Sequence, residues 1–530
     1  MGFWAKSLVI FNSLCGNAKQ SIRQLAHHNG FSKSSVHRLK QAMARRDQHP
    51  ESWFWETEEG RRWFMRLVVA TLYTFSLKRG VGAETIHEFF VHLRLERHVG
   101  CSPSALRGFM DIVEQATLET AQAWEREGIA AKETTPIIGA VDETFLERML
   151  LVFMDLVSGY LLFEEVAVDR TYDTWHTLVK ARLEALGVGV FYLVSDRAKA
   201  LIKLAETGLE CLSVPDLFHL IHDVVKSYSL SIWSRLRQAR QALRQAQEHL
   251  TTCQAAEPSG AEVLQAQALV EVSEAEVKRW EGVHYAYRHH LENLSLMVHP
   301  WRLLDSTRQT SADVERQLRA EIVAIETLVE TQALPVKKKA LDKVRRQLAG
   351  LSAVVDLWWQ EVWHDVQPQV ALTPMWQRWV DELLLPLMYW QEQVSRTRCP
   401  QRKAKVLQAL QAVEAAFEAH PMTQQLAPEV LAGWKAWAAE HARAFQRASS
   451  AVEGRNGSLS QLHHNHRGLP KRRYKVWTVL HNFDCRASDG TTPASRFFRR
   501  EFPDLFETVL SKIDDLPRPR QRNQALAISA

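Results

Sequence analysis

Two aspartates stand where strand-like apolar runs break or end. Asp142 interrupts the run 137–145, and Asp196 follows closely on the run 190–194. Carboxylates a few ångströms apart repel each other unless a cation lies between them. Hard oxygen donors, with water filling the remaining positions, suit Mg²⁺ or Mn²⁺. Two such ions can activate a water or a 3′-hydroxyl and stabilise the departing oxygen of an in-line phosphoryl displacement. One aspartate at a strand end is more often merely solvated; two, in the right strands, carry the argument. Glu143 competes with Asp142, because adjacent strand residues face opposite ways. Asp142 continues the face of Ala140 and Ile138 and is taken as the inward acid. Asp155 and Asp169 read as surface or turn residues.

The elements that must position these acids follow from the apolar pattern. Runs at 137–145, 149–156 and 160–168, with a turn at Ser158-Gly159, predict an antiparallel meander. Trp175, Leu178, Val179 and Leu183 predict a helix over 172–186, ended by Gly187 and Gly189. A fourth strand at 190–194, a helix at 197–206 and a fifth strand at 210–214 complete the set. The order is three antiparallel strands, helix, strand, helix, strand, helix. It is similar to that of the ribonuclease-H-like fold, in which the first and fourth strands lie side by side and their acids converge.

Val141-Asp142-Glu143, Leu193-Val194-Ser195-Asp196 and Pro215-Asp216-Leu217-Phe218-His219 together resemble the DDE transposases. The third segment resembles the Asp-x-x-His or Cys-x-x-His signature of hAT and several bacterial transposase families. The resemblance implies a ribonuclease-H-like core in which two Asp and one Glu bind two metal ions. It implies that Asp216 and His219 support the site without ligating metal; on the residues alone they are a capped helix start with a His on the same face. It also implies a third acid on a late helix, reached after a helical insertion. The helix predicted over about 433–461 contains Ala448-Ser449-Ser450-Ala451-Val452-Glu453-Gly454-Arg455-Asn456-Gly457, which resembles the final-Glu motif of bacterial members. Glu453 is therefore the implied third ligand, with Glu440 as fallback. Asp489 to Ala494 and Arg496 to Arg500 resemble the tail that follows this motif.

Near the N-terminus, 21–29 forms a short helical pattern with Ile22 and Leu25 on one face, and Gly30-Phe31 makes a turn. Ser32 then caps a second helix with Val36, Leu39 and Met43 inward. Ser34, Ser35, His37 and Arg38 project outward, which is helix-turn-helix grammar for entry into a major groove. A second unit is expected around 85–103, with a break at Gly100 and a restart at Ser102-Pro103; both units also read as ordinary helical hairpins. Arg455, Lys471, Arg472 and Arg473 belong to a basic stretch able to neutralise phosphates, or simply a solvated face. His481 and Cys485 lack a partner pair for metal ligation. Residues 232–253 and 266–294 keep a three-four apolar spacing around a break at 257–260, predicting a helical hairpin with a coiled-coil seam. The resemblance implies DNA-end contact through a Trp of this insertion; the alternative expectation for the hairpin is dimerisation. The many later Trp residues are expected mostly as core.

The chain has 530 residues with a net charge of +5 and 46% hydrophobic residues, an ordinary globular composition. No long apolar run predicts a membrane span. Six scattered cysteines without a C-x-x-C pair argue against a disulfide scaffold and fit a reducing cytoplasm, which the resemblance implies is bacterial. The expected fold class is an α/β ribonuclease-H-like core with a large all-α insertion and an all-α N-terminal region. The expected organisation is 1–130 for DNA binding, 135–225 for the first part of the core, 226–440 for the insertion, 441–484 for the rest of the core, and 485–530 as a basic tail, disordered from Leu516. The expected function is DNA transposition, by a homodimer or higher oligomer on double-stranded transposon ends and target. The alternatives are a nuclease of the same fold that does not join, or a domesticated DNA-binding regulator.

Overall fold

A computed structural model describes residues 20–46, 57–131, 136–256, 260–335, 337–366, 373–466 and 472–518. They form a mostly helical molecule around one mixed five-stranded sheet. The strands are β1 (Ile137–Phe145), β2 (Met149–Asp155), β3 (Leu161–Ala167), β4 (Val190–Ser195) and β5 (Leu212–Pro215), in the order β3-β2-β1-β4-β5. The first three pair antiparallel, and β4 and β5 run parallel to β1.

The apolar runs explain these strands. Residues 137–141 are buried on both faces, as a central strand requires. The β2–β3 turn is closed by Asp155, whose carboxylate accepts from the Ser158 N–H at 2.9 Å, and by Gly159 at φ 75°. Asp155 is thus a turn residue, but a buried one. A parallel neighbour needs a crossover, and Tyr172–Leu186 supplies it between β3 and β4. Thr171 caps that helix, Trp175, Val179, Leu183 and Leu186 are buried, and Gly187 ends it in the left-handed region.

The helix after β5 does not stop at an inter-domain boundary near 225. Leu217–Ala255 runs unbroken out of the sheet layer and pairs with Gly260–Met297, so sheet and insertion share one element. The hairpin seam is lined by Ile232, Leu236, Ala239, Trp280, Val283 and Tyr287. Behind it, Trp301 is fully buried against Trp358, Trp359 and Tyr389, with ring centroids 5.0–5.4 Å apart.

Two further expectations are corrected. The helix over 433–461 is two helices, Pro428–Ala444 and Ser450–His466, with 445–449 as a non-helical link. Tyr192 Oη donates to the Gln446 carbonyl at 2.9 Å, and the Arg447 carbonyl accepts from the Leu217 N–H at 3.1 Å. These tertiary bonds outweigh the helical propensity of the Ala-rich sequence. Residues 485–518 are no tail: Phe497 stacks on Tyr160 at 4.4 Å, and Phe498 packs on Gly128, where a Cβ would come within 2.5 Å of its ring. Residues 519–530 lie outside the described residues. The second unit has its expected helices, Ala83–His92 and Pro103–Ala131, and the latter packs Leu106, Phe109, Met110, Val113 and Trp124 into the main core. By contrast, Ile22–His28 and Lys33–Arg46 form their own small cluster of Leu25, Ala26, Val36 and Leu39. Among the described residues no helix is long and apolar enough to cross a membrane.

Candidate metal centre

β1 alternates its side chains, so Asp142 and Glu143 part company. Glu143 turns to Arg170 in an ion pair. Asp142 turns to the late helix: Oδ2 accepts from Asn456 Nδ2 at 2.8 Å, and Oδ1 from the Glu143 N–H at 2.9 Å. At the end of β5, Asp216 caps the next helix, with Oδ1 accepting from the Phe218 N–H at 2.7 Å. Its Oδ2 accepts from the Ser449 hydroxyl. One buried carboxylate therefore pins the start of Leu217–Ala255 to the start of Ser450–His466. That clamp places two first turns side by side. His219 in one approaches Glu453 in the other, with Nε2 3.2 Å from Oε1 and 3.7 Å from Asp216 Oδ2.

Asp142, His219 and Glu453 each offer one donor atom, and the three atoms lie within 4.8 Å of one another. All three residues are half-buried. Burial, and then the Glu453 charge, push the Asp142 carboxyl up to about 7, against the pull of the Glu143 N–H and His219. Burial also raises Asp216, which the Ser449 hydroxyl and His219 partly oppose. The Asn456 side chain is 8% exposed, and its Oδ1 is buried with no hydrogen-bond partner.

Asp196 is exposed just beyond β4 and stands outside this trio; its Oδ1 accepts from the Ala198 N–H at 2.8 Å. The β1–β4 ladder ends at Ala140–Val194, two residues short of Asp142 on one strand and of Asp196 beyond the other. Glu440 is far from this role: it pairs with Arg499 in solvent.

Within the basic stretch Arg455 turns inward. Arg455 is 9% exposed and gives a two-pronged ion pair to Glu164 on β3, at 2.7 and 2.8 Å. A fully buried carboxylate demands such a partner, so this guanidinium is not available to a phosphate. Arg473 pairs with Glu114 at 2.5 Å, and Arg472 donates to Gln115. Lys471 lies outside the described residues. His481 bonds the Gly159 carbonyl oxygen at 2.9 Å, not Cys485. In the N-terminal unit, Ser32 caps its helix through the Ser35 N–H at 3.1 Å, Ser34, His37 and Arg38 are exposed, and Ser35 is half-buried.

Sequence reasoning missed Asn456, Glu164 and Ser449. Asn456 sits three residues after Glu453 and so shares its helix face, a signal present in the spacing. Glu164 was visible as the first of two adjacent acids in β3, on the opposite strand face from Glu165.

The family described as one of unknown function (DUF6399) matches residues 380–525. No curated protein matches the chain. The matched segment holds Glu453, Asn456 and the C-terminal packing, while Asp142, Asp196 and His219 lie before it.

Proposed function

We propose that this protein is a DDE-type transposase, with a ribonuclease-H-like core interrupted by the helical insertion. One observation carries the reading. Asp142 on β1 and Glu453 on the late helix, remote in sequence, bring donor atoms within 4.8 Å of each other, and β1 pairs with β4, the strand that Asp196 follows. The donor set fits a divalent cation, because two half-buried carboxylates facing each other need positive charge between them. In this reading Asp142, Asp196 and Glu453 hold two Mg²⁺ or Mn²⁺ ions. Bound there, such ions lower the pKa of an attacking hydroxyl and stabilise a leaving oxygen.

The chain's own residues do the rest. Asp216 and Ser449 hold the two helix starts together, which fixes the distance from His219 to Glu453. The Arg455–Glu164 pair fixes the rotation of the Glu453 helix against β3. Ser34, Ser35, His37 and Arg38 read the ends of the element in the major groove. Two ends must be joined, so the working species is at least a dimer on DNA in the bacterial cytoplasm.

The test is cleavage and joining of a linear duplex that carries the element's terminal repeats, with Mg²⁺. Asp142→Asn and Asp196→Asn are expected to bind the ends as the wild type does and to lose cleavage and strand transfer to background. Retained activity in either variant overturns the assignment. Nicked products that are never joined point to a nuclease, and end binding without cleavage in the wild type points to a regulator.

A further inference from the structure

Four donor-bearing side chains converge where β1 meets the first turns of Leu217–Ala255 and Ser450–His466. Asp142, His219 and Glu453 supply the three atoms within 4.8 Å of one another. Asn456 is the fourth: its amide touches Asp142 Oδ2 at 2.8 Å, and its oxygen is buried without a partner. A buried carbonyl oxygen left unmatched is costly. It points to a group that the protein itself does not provide. An amide can present either end to a neighbour by rotation about one bond, so Asn456 can offer its oxygen to a cation that has neutralised Asp142.

We propose that Asp142, His219, Glu453 and Asn456 form a mixed nitrogen–oxygen site for one divalent transition cation, taking Mn²⁺ in preference to Mg²⁺. The inference deepens the proposed transposase reading at one of its two cation positions, while its geometry stands on the cluster itself. It departs from that reading in making His219 a ligand and in adding Asn456. The physical reason is donor type. Mg²⁺ wants oxygen in a near-ideal octahedron and keeps its waters. Imidazole nitrogen shifts preference toward the first-row transition metals, and two carboxylates with an amide oxygen keep Mn²⁺ within reach. Asp216 Oδ2, 3.7 Å from the same Nε2 that faces Glu453, adds a further negative charge beside the cation.

The experiment uses the full chain. Mn²⁺ is titrated in and the free aqua ion is followed by electron paramagnetic resonance, with pulsed measurements for ¹⁴N coupling from a directly bound imidazole. Wild type is expected to show that coupling and to retain Mn²⁺ against an excess of Mg²⁺. His219→Ala should lose the coupling and bind Mn²⁺ roughly tenfold more weakly, with a smaller Mn²⁺ over Mg²⁺ preference. Asn456→Ala should weaken Mn²⁺ while keeping the coupling, and His219→Gln should restore part of the affinity without it. Circular dichroism melts show that each variant folds. A folded wild type that binds Mn²⁺ with no ¹⁴N coupling, and with an affinity unchanged in His219→Ala, overturns the inference. If Mg²⁺-dependent cleavage is nevertheless present and lost in Asp196→Asn, the transposase reading stands without it. Coupling present, with no cleavage of any duplex under Mg²⁺ or Mn²⁺, upholds the mixed site and removes the transposase reading.

Discussion

Burial pushes two titratable groups flanking the sheet in opposite directions, each away from its charged form. The Asp142 carboxyl rises to about 7 and the His481 imidazole falls to about 4, the latter through burial first and then the Arg455 charge. His481 is neutral in the folded protein at pH 7 and titrates near 6.5 once unfolded. Its folded value is depressed, so the stability it contributes is present above pH 6.5. That stability is lost as pH falls through about 4. The interval is worth about 3 kcal/mol. Urea denaturation of wild type and His481→Gln at several pH values checks this: the difference between them should shrink by that amount from pH 7 to pH 4. A constant difference would show that His481 stays unperturbed. The same scale explains why Asp142 and not Glu143 reaches the cluster, since strand alternation was legible from Ile138 and Ala140 onward.

At the scale of elements, the candidate centre depends on how the Ser450–His466 helix lies against β3. Glu164 is buried on that strand, and Arg455 and Thr478 share its two oxygens. Arg455→Ala leaves a buried carboxylate without its cation and should cost about 3–5 kcal/mol. Glu164→Leu combined with Arg455→Met removes both charges and should recover most of that loss. Thermal unfolding of the two variants decides it; equal destabilisation by both would mean that the pair is not the source. These contacts were not readable beforehand, because a basic run looks the same whether it faces solvent or an acid on a distant strand. The break at 445–449 was hidden for a similar reason. Its cause is the backbone bonding of Gln446 and Arg447 to Tyr192 and Leu217, and nothing local in the sequence announces it.

For the whole molecule, the main core runs from Phe64 to Leu516, while the first two described helices keep a small cluster of their own. Two truncations follow different courses. Deleting residues 1–50 should leave the melting transition of the remainder within a degree or two of wild type and abolish binding to DNA ends. Stopping the chain after residue 484 removes Phe497, Phe498 and Phe502 from against Trp124 and Tyr160. Aromatic truncations in a core cost about 3–5 kcal/mol each, so that product should not fold. Circular dichroism and gel filtration of both products check the pair; a folded, monodisperse 1–484 would show that the C-terminal segment is dispensable.

Local chemistry was enough to place the five strands, the crossover helix with its Gly187 stop, the arms of the hairpin and the inward choice of Asp142. Each is set by alternation, helical spacing or turn residues within a few positions, and those forces act over the same short range as the pattern. Which distant groups meet was decided only by tertiary packing: His219 beside Glu453, Asn456 on Asp142, Arg455 turned inward to Glu164, and the last folded segment laid over Tyr160. Such pairings depend on how whole elements stack, and one residue's type does not encode the partner that stacking brings to it.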